Sequence, residues 1–416
     1  MPSTEGLGAR RAALQMLDAV LRRGQTLDSA GAAIRNLPRE DHALAVAIAG
    51  ETLRRLPDLN SLIDGVTPRR LPDDSKARMV LCLALAQKIG LGTPDHALVA
   101  TALPLVDGGP RRLVHGVLGT LLRRGVTVND APRLPAEVED RWRSRWGDDT
   151  VQAARRQIVR RPSLDLTFLD DGEAQAYAAA HDGISLASRH VRLQSSSVSE
   201  LAGFQEGRWW VQDLSASLPA RLIPRAAIEV LDLCAAPGGK TMQLAAAGHQ
   251  VTAVDASASR LARLRENLER THLKARLVEA DALKWQSEQQ YDAILLDAPC
   301  SATGTFRRHP EVLYRARPRI IAEGAELQAR LLDRAAQWLK LAGVLVYSVC
   351  SLEPEEGEEA VSTVLARHPE LRLDQAKDLP ASVPAASEGW VRILPGLLEA
   401  EGGLDGFFMA RLVRDR

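Results

Sequence analysis

The chain has 416 residues, 45% of them hydrophobic and 25% charged, and its formal net charge is zero. This is the composition of an ordinary globular protein, and it excludes a largely disordered chain; the length is enough for two or three domains. Zero net charge also excludes a bulk positive field, so any binding to nucleic acid must depend on local basic patches.

The sequence also carries signals about its compartment. Its first residues lack the basic-then-apolar pattern of a signal peptide, and no run of about 18 apolar residues is present that could cross a membrane. The four cysteines are far apart and include no Cys-x-x-Cys pair: Cys82, Cys234, Cys300 and Cys350. We therefore expect no disulfide framework and no metal site, and we predict a cytoplasmic monomer without a membrane partner.

Residues 1–128 are predicted to form an all-helical bundle. Apolar residues recur at helical spacing in the segments 9–23, 41–55 and 75–89. Prolines separate these segments, Pro57 among them, and β-branched residues are few.

Residues 129–218 are predicted to be a linker and a small α+β domain. A charged helix is expected over 141–157, and the alternating residues of 164–169 indicate a strand. The presence of both patterns in one segment is typical of an α+β unit.

Residues 219–416 show the strand–helix alternation of a parallel α/β sheet. Short apolar runs predict strands at 228–233, 250–254, 275–278, 291–296, 344–347 and 407–412. The helices that fit between them include 257–270 and 323–339. Ligands bind such sheets outside the carboxyl ends of the strands, where this sequence has several Asp and Cys residues.

The loop Cys234–Lys240 joins the first of these strands to a helix that is expected to begin near Thr241. Gly238 and Gly239 would let the backbone approach a ligand closely. The start of the helix offers free N–H groups to a carboxylate or a phosphate. The loop therefore predicts a site for a nucleotide-like ligand.

Two carboxylates at the next strand ends support that prediction. Asp255 is placed to accept both hydroxyls of a ribose, and Asp281 is placed to accept from an adenine amino group. The alternative for either residue alone is a helix cap.

A phosphate-binding loop is the alternative for residues 234–241, which nearly match G-x-x-x-x-G-K-[ST]. The apolar strand ending at Asp297 resembles the magnesium-holding strand of such NTPases. However, Cys234 stands at the first glycine position, and Pro237 lacks the backbone N–H that would contact phosphate. The sequence therefore favours another ligand over ATP with magnesium, and a P-loop-like NTPase is the alternative function.

Cys300 and Cys350 follow two neighbouring strands, so both thiols are expected to face one cleft. The alternative is two buried structural cysteines. Only a few per cent of a free thiol is thiolate at neutral pH, so a catalytic cysteine must be activated by its surroundings. The segment Arg307–His309, soon after Cys300, is expected either to contact RNA phosphates or bases or to be a solvated loop.

Three stretches, residues 230–241, 297–310 and 347–356, closely resemble the RsmB (Sun/Fmu) family of ribosomal RNA 5-methylcytosine methyltransferases. Residues 210–217 and 405–408 are also similar to that family. The helical N-terminal part is similar to the NusB-like RNA-binding domain found ahead of it. The resemblance implies an all-α NusB-like bundle, a small α+β middle domain and a C-terminal α/β Rossmann-like class I methyltransferase.

The resemblance also implies a reaction, a cofactor and a partner: methyl transfer from S-adenosyl-L-methionine to carbon 5 of a cytosine in RNA, namely 16S ribosomal RNA. The implied cofactor-binding residues are Cys234, Ala235, Ala236, Pro237, Gly238, Gly239, Lys240, Asp255, Asp281 and Asp297. Cys350 would be the nucleophile, and Cys300 would assist product release. The residues alone do not rank the two cysteines.

A cysteine and an acid suit this reaction because carbon 5 of cytosine is not nucleophilic in the aromatic ring. Addition of a thiolate at carbon 6 makes carbon 5 enamine-like. Acid assistance at ring N3 promotes the addition, and Asp297 is well placed for it if the carboxyl is protonated. A base then removes the carbon 5 proton, and the thiol leaves.

One alternative of another class is a catalytically inert NusB-like RNA-binding protein of ribosome assembly. The intact Cys300 and Cys350 argue against it. The sequence departs from the family where Val349 replaces the Thr before the nucleophile and where Thr167–Leu169 replaces Arg-Val-Asn.

Overall fold

The structure, a computed structural model, describes residues 6–194, 198, 201–375, 379–383 and 388–415. Its two compact units are Met1–Arg161 with Phe306–Arg315, and Pro162–Thr305 with Ala316–Arg416. The boundary after Arg161 differs from the expected boundaries after residues 128 and 218, and the division into three domains stays a prediction. Within the described residues, no helix is both long and apolar enough to span a membrane.

The helices and strands of the described residues follow in chain order. The helices are α1 (Leu7–Leu21), α2 (Leu27–Ala32), α3 (Arg39–Asp64), α4 (Lys76–Leu91), α5 (Asp95–Ala102), α6 (Gly108–Arg124), α7 (Ala136–Trp146), α8 (Asp148–Ile158), α9 (Asp171–Ala180), α10 (Leu214–Arg221), α11 (Gly239–Ala246), α12 (Ala258–Arg270), α13 (Val312–Arg315), α14 (Pro318–Gln337) and α15 (Glu358–Arg367). The strands are β1 (Leu164–Phe168), β2 (His190–Leu193), β3 (Trp209–Val211), β4 (Glu229–Leu233), β5 (Gln250–Asp255), β6 (Arg276–Glu279), β7 (Tyr291–Asp297), β8 (Leu339–Val349), β9 (Leu371–Asp374), β10 (Val391–Ile393) and β11 (Phe407–Arg414).

The first unit is the predicted helical bundle, with α1, α3 and α4 at its core. α4 is apolar on nearly every side, and it begins after Ser75, whose hydroxyl accepts from the backbone N–H of Arg78 at 3.3 Å. The sequence predicts a break at Pro57, but α3, which is 26 residues long, continues through this proline to Asp64. Leu56 and Leu59 on either side are buried. Their packing offsets the helical hydrogen bond that is lost because proline has no backbone N–H.

The single helix predicted over 141–157 is instead two helices, α7 and α8, that meet at Gly147. Gly147 has a φ of +83°, a left-handed value that glycine tolerates and a helix does not contain. Glu139 of α7 accepts two hydrogen bonds from Arg155 of α8, both of 2.7 Å. These bonds fold the two helices against each other within the first unit.

Residues 306–315 are far in sequence from the other helices of the first unit, yet they pack inside it. The Phe306 ring is fully buried, and its centroid lies 5.7 Å from a ring centroid of Trp142. Tyr314 donates its hydroxyl hydrogen to the backbone oxygen of Leu53 at 2.7 Å. A fully buried phenylalanine at one end and a partly buried, hydrogen-bonded tyrosine near the other therefore fix the segment in the helical core.

The structure corrects the expectation for Arg307–His309, which lies within this segment. Arg307 is only 2% exposed, so it is neither a solvated side chain nor one presented to RNA. Arg308 and His309 are partly exposed, and Nδ1 of His309 lies 3.5 Å from a carboxylate oxygen of Glu311. The same carboxylate accepts from the first backbone N–H of α2 at 3.0 Å. The basic segment is therefore largely built into the fold.

The second unit contains two sheets. The smaller has the order β2-β1-β3, and the larger has the order β10-β11-β8-β7-β4-β5-β6, with β9 paired to β11. The strands β4 to β8 run parallel to one another. The next strand in the sheet, β11, runs antiparallel to β8. The parallel strands with helices packed on the faces of the sheet are the predicted Rossmann-like arrangement. The antiparallel direction of β11 differs from the wholly parallel sheet that the sequence predicts.

The parallel strands end within two residues of the predicted positions: β4 at Leu233, β5 at Asp255, β7 at Asp297 and β8 at Val349. The register keeps the ends level, since Asp297 pairs with Ser348 across β7 and β8. Because these strands are parallel, the loops that follow them meet at one edge of the sheet.

Candidate active site

The glycine loop, Cys234–Lys240, is held against the end of β5. The N–H of Ala235 donates to the backbone oxygen of Val254 at 3.1 Å. The N–H of Ala236 donates to Oδ2 of Asp255, also at 3.1 Å. Two consecutive backbone groups therefore fix the loop before its helix begins.

The two glycines of the loop also have packing roles that the sequence does not predict. Gly238 has a φ of +106°, and a Cβ on it would lie 2.0 Å from Cδ1 of Leu264 in α12. A Cβ on Gly239 would lie 3.2 Å from the Gln212 side chain. α11 begins at Gly239, two residues before the predicted start at Thr241. Close packing against α12 and the positive φ therefore require glycine at position 238.

Two buried titratable groups lie at the base of the loop. Burial raises the pKa of the Cys234 thiol to about 12, so this cysteine stays neutral and is no third nucleophile. Asp232, for which the sequence predicts no role, accepts from Oγ1 of Thr241 at 2.6 Å, and its other oxygen has no hydrogen-bond partner within the described residues. Burial also raises the pKa of Asp232 to about 7. The available signal for Asp232 is a carboxylate between two leucines in the buried part of β4.

Asp255 and Asp281 both accept hydrogen bonds from nearby backbone groups. Oδ1 of Asp255 accepts from the N–H of Ser257 at 2.9 Å, in addition to the loop contact at Oδ2. Oδ1 of Asp281 accepts from the N–H of Leu283 at 2.9 Å, and its side chain is half exposed. A carboxylate oxygen can accept more than one hydrogen bond, so both residues keep acceptor capacity for a ligand. Their cofactor-binding roles stay predictions.

Asp297, at the end of β7, is bonded to the glycine loop. Its Oδ2 accepts from Nζ of Lys240 at 2.7 Å, and its Oδ1 accepts from the hydroxyl of Ser348 at 2.8 Å. Nζ of Lys240 also lies 5.4 Å from the ring centroid of Phe407. The sequence does not predict the ion pair, because Lys240 and Asp297 belong to different motifs and are joined only by the sheet.

The structure brings Cys300 and Cys350 together, with sulfur atoms 3.6 Å apart and no disulfide between them. Both side chains are partly exposed, unlike the buried cysteines of the alternative interpretation. The hydrogen bond to Cys350, followed by burial, raises the pKa of Cys300 well above its usual value. The two thiols therefore share a hydrogen bond in which either sulfur can be the donor.

Ser301, Ser351 and Glu356 connect the two cysteine loops, and the sequence predicts no role for them. Both serine hydroxyls donate to Oε2 of Glu356 at 2.5 Å. The sequence feature that points to the two serines is the repeated Cys-Ser pair, at 300–301 and 350–351. No group of His, Cys, Asp and Glu suited to a metal ion occurs in the described part of the chain.

Two family models match this chain. Residues 220–413 match the family described as 16S rRNA methyltransferase RsmB/F, and residues 7–123 match the NusB family. The chain is 34% identical to ribosomal RNA small subunit methyltransferase B of Erwinia tasmaniensis over 434 residues, which cover 97% of each chain. It is 35% identical to the protein of the same name from Klebsiella pneumoniae over 439 residues, which cover 99% of each.

A solved structure, that of PH0851, has the same fold, with a TM-score of 0.73 and 22% identity over 99% of both chains. A methyltransferase homolog from Pyrococcus horikoshii is 25% identical with a TM-score of 0.57, over 71% of this chain and 98% of that one. The fold class predicted from the sequence is therefore confirmed. The chain belongs to the RsmB/F family of 16S rRNA methyltransferases, and it is an RNA methyltransferase that depends on S-adenosylmethionine.

Proposed function

We propose that this enzyme methylates carbon 5 of a cytosine in 16S ribosomal RNA through a covalent bond between Cys350 and carbon 6 of the base. The observation that carries the proposal is the contact between Cys300 and Cys350 at adjacent strand ends, with 3.6 Å between their sulfur atoms. A base nitrogen or a ribose oxygen can attack a methyl donor without a thiol, whereas carbon 5 of cytosine needs one. We assign the attack to Cys350 from the resemblance of residues 347–356 to the family, and the 3.6 Å contact places the Cys300 thiol beside it.

The proposed reaction proceeds by addition, methyl transfer and elimination, and both thiols take part in it. The electron pair of the Cys350 thiolate forms the bond to carbon 6, and the electrons of the ring double bond form the bond from carbon 5 to the methyl group. The bond between that methyl group and the donor sulfur breaks, and its electron pair stays on the sulfur. A base then removes the carbon 5 proton, the double bond re-forms, and the sulfur leaves with the electron pair of its bond to carbon 6. Cys300, beside the departing sulfur, donates a hydrogen bond that stabilises the leaving thiolate.

Asp297 is proposed to act at ring N3 of the cytosine, with Lys240 behind it. An acid at N3 needs a proton, and both oxygens of Asp297 accept hydrogen bonds from neighbouring side chains. Lys240 and Ser348 are those neighbours, and their contacts fix the orientation of the Asp297 carboxyl group. This fixed orientation is what supports Asp297 as the group that acts at N3.

The donor site is proposed to lie on the glycine loop, residues 234–240. When bound, S-adenosylmethionine supplies the methyl group. The backbone N–H groups at the start of α11 suit its carboxylate, and Asp255 and Asp281 suit its ribose hydroxyls and its adenine amino group. Lys240 is engaged with Asp297 rather than left to contact a phosphate, so the residues fit this ligand better than a nucleoside triphosphate.

The RNA contact is proposed to involve the exposed face of α6, in the region that matches the NusB family. The basic residues on this face are Arg111, Arg112, His115, Arg123 and Arg124, all of them exposed. A local patch of this kind is what a chain of zero net charge needs to bind a polyanion.

Methyl transfer to unmodified 16S rRNA tests the proposal. The full-length protein is incubated with a methyl-labelled donor and the RNA, the RNA is digested to nucleosides, and the labelled nucleoside is identified. Label in 5-methylcytidine supports the proposal, and label in any other nucleoside overturns it. RNA binding without any transfer would favour the inert assembly protein.

A further inference from the structure

The two catalytic cysteine loops share a single buried carboxylate. Ser301 follows Cys300, and Ser351 follows Cys350. Both hydroxyls donate to the same oxygen of Glu356, Oε2, at 2.5 Å. The serine hydroxyls also lie 3.1 Å from each other. One carboxylate oxygen therefore holds the residue after each thiol.

The second oxygen of Glu356 completes the attachment to the Cys300 loop. Oε1 accepts from the backbone N–H of Ser301 at 2.8 Å and from Nε2 of Gln328 at 3.2 Å. The same Gln328 amide donates to the backbone oxygen of Pro299 at 2.9 Å, on the other side of Cys300. The backbone on both sides of Cys300 is thus tied directly or indirectly to Glu356.

The surroundings of Glu356 leave little freedom for this carboxylate. Its side chain is fully buried, and a Cβ on Gly324 would lie 2.6 Å from Oε1. Burial raises the pKa of Glu356, while the hydrogen bonds from the two serines oppose that shift. A buried carboxylate is costly unless its hydrogen bonds are complete, and within the described residues the hydrogen bonds to this carboxylate come from the two cysteine loops and from Gln328.

We infer that Glu356 is a positioning residue that fixes the distance between the Cys300 and Cys350 thiols by holding Ser301 and Ser351 on one carboxylate. This inference rests on the proposed function, in which Cys300 must stay beside the sulfur of Cys350 while that sulfur attacks and leaves. Glu356 touches neither the base nor the reacting atoms. Its effect is on how long the two thiols remain in contact.

Thiol proximity is measurable without methyl transfer. Diamide oxidises two neighbouring thiols to a disulfide, and its N=N bond takes up the two electrons and two protons that the thiols lose. The sulfur atoms must approach from 3.6 Å to about 2.05 Å. The rate of Cys300–Cys350 disulfide formation in the full-length protein, followed by mass spectrometry, therefore reports how closely the loops are held.

The test compares Glu356→Gln with the matched control Glu359→Gln, which changes an exposed residue of α15. Ser351→Ala is a second variant, since it removes one hydroxyl and leaves the carboxylate with its other partners. We expect the rate of disulfide formation to fall by about tenfold or more in Glu356→Gln and Ser351→Ala. When the loops are no longer held together, each thiol spends less time near the other, and its effective concentration is lower. The control should match the wild type, and melting temperatures are recorded so that rates are compared well below unfolding.

A second readout separates this inference from the proposed function. In a single turnover with RNA, loss of positioning should slow release of the covalent intermediate more than its formation. Wild-type or faster disulfide formation in both variants overturns the positioning role, whatever the methylation result. Absence of methyl transfer by the wild type, with slow disulfide formation in the variants, overturns the proposed function and leaves the positioning role standing.

Discussion

Nζ of Lys240 lies 2.7 Å from Oδ2 of Asp297, so the last residue of the glycine loop is ion-paired with the carboxylate that precedes Cys300. The proposed donor site and the proposed thiol site are therefore connected by one charge-assisted hydrogen bond.

Lys240→Ala should lower kcat/KM for methyl transfer by about 10- to 150-fold, because a hydrogen bond between charged groups contributes about 1.5–3 kcal/mol. Steady-state kinetics with labelled donor measures this. Lys274→Ala is the control, since Lys274 is an exposed lysine that precedes β6, away from the carboxyl ends of the strands. Equal kcat/KM for the Lys240 variant and the wild type would remove this ion pair from the mechanism.

Asp255→Ala should weaken binding of S-adenosylmethionine by about 1–3 kcal/mol, through lost hydrogen bonds to the ribose. The structure adds a second cause, since the N–H groups of Ala236 and Ser257 also lose their acceptor. Isothermal calorimetry on the variant and on Glu266→Ala, an exposed control in α12, gives the comparison. Tight, magnesium-dependent binding of ATP by the wild type would contradict the assignment of this loop.

Phe306→Ala should destabilise the helical unit by about 3–5 kcal/mol, because Phe306 is fully buried against Trp142. Tyr314→Phe, which removes only the hydroxyl that donates to Leu53, should cost about 1 kcal/mol. Chemical denaturation followed by circular dichroism measures both changes. Similar small effects in the two variants would mean that the 306–315 segment is not anchored by its aromatic residues.

Deletion of residues 1–128 is expected to do more than weaken RNA binding. It removes the backbone oxygen of Leu53, which accepts a hydrogen bond from the Tyr314 hydroxyl. It also removes the first N–H of α2, which donates to the Glu311 carboxylate. Residues 306–315 would then lose part of their packing, and the truncated chain should show a lower melting temperature as well as a lower RNA affinity. Unchanged RNA affinity in the truncated chain would count against a role for the NusB-like region in binding.

Asp232 makes stability depend on pH in an unusual direction. Burial raises its pKa in the folded state to about 7, above the unfolded value of about 3.9. The stability that this raised pKa contributes is fully present below about pH 4 and is lost as the pH rises through about 7. Asp232→Asn should therefore flatten the decline in unfolding free energy between pH 4 and 8, by about 2–4 kcal/mol. The same decline in the variant and the wild type would show that Asp232 is charged in the folded protein throughout this range.

The positions of the site residues at strand ends could be predicted from the sequence because strand and motif are adjacent in the chain. Cys300 and Cys350 each follow a recognisable apolar run, and their meeting follows from parallel neighbouring strands. The Lys240–Asp297 pair and the contacts of Glu356 could not be predicted in the same way. They join motifs that are distant in sequence, and only the packed structure shows which side chains meet.

Two features of the helical unit could not be predicted from the sequence patterns either. Periodicity runs through Gly147 and suggests one helix, whereas the positive φ of Gly147 divides it into two. The basic residues Arg307–His309 are typical of a solvated or RNA-binding loop, but packing of Phe306 and Tyr314 draws this segment into the helical core. Local composition reports charge, and it does not report the long-range contacts that bury a side chain.

In the proposed mechanism, Cys350 forms the covalent bond and Cys300 helps to break it. Denaturing gel electrophoresis of Cys350→Ala and Cys300→Ala, each incubated with labelled RNA and S-adenosylmethionine, separates these two roles. We expect no covalent species and no methyl transfer with Cys350→Ala. With Cys300→Ala we expect a protein–RNA species to accumulate, because the departing sulfur then lacks its hydrogen-bond donor. A persistent species in the Cys350 variant and none in the Cys300 variant would reverse the two roles, and full activity in both variants would contradict covalent catalysis by either thiol.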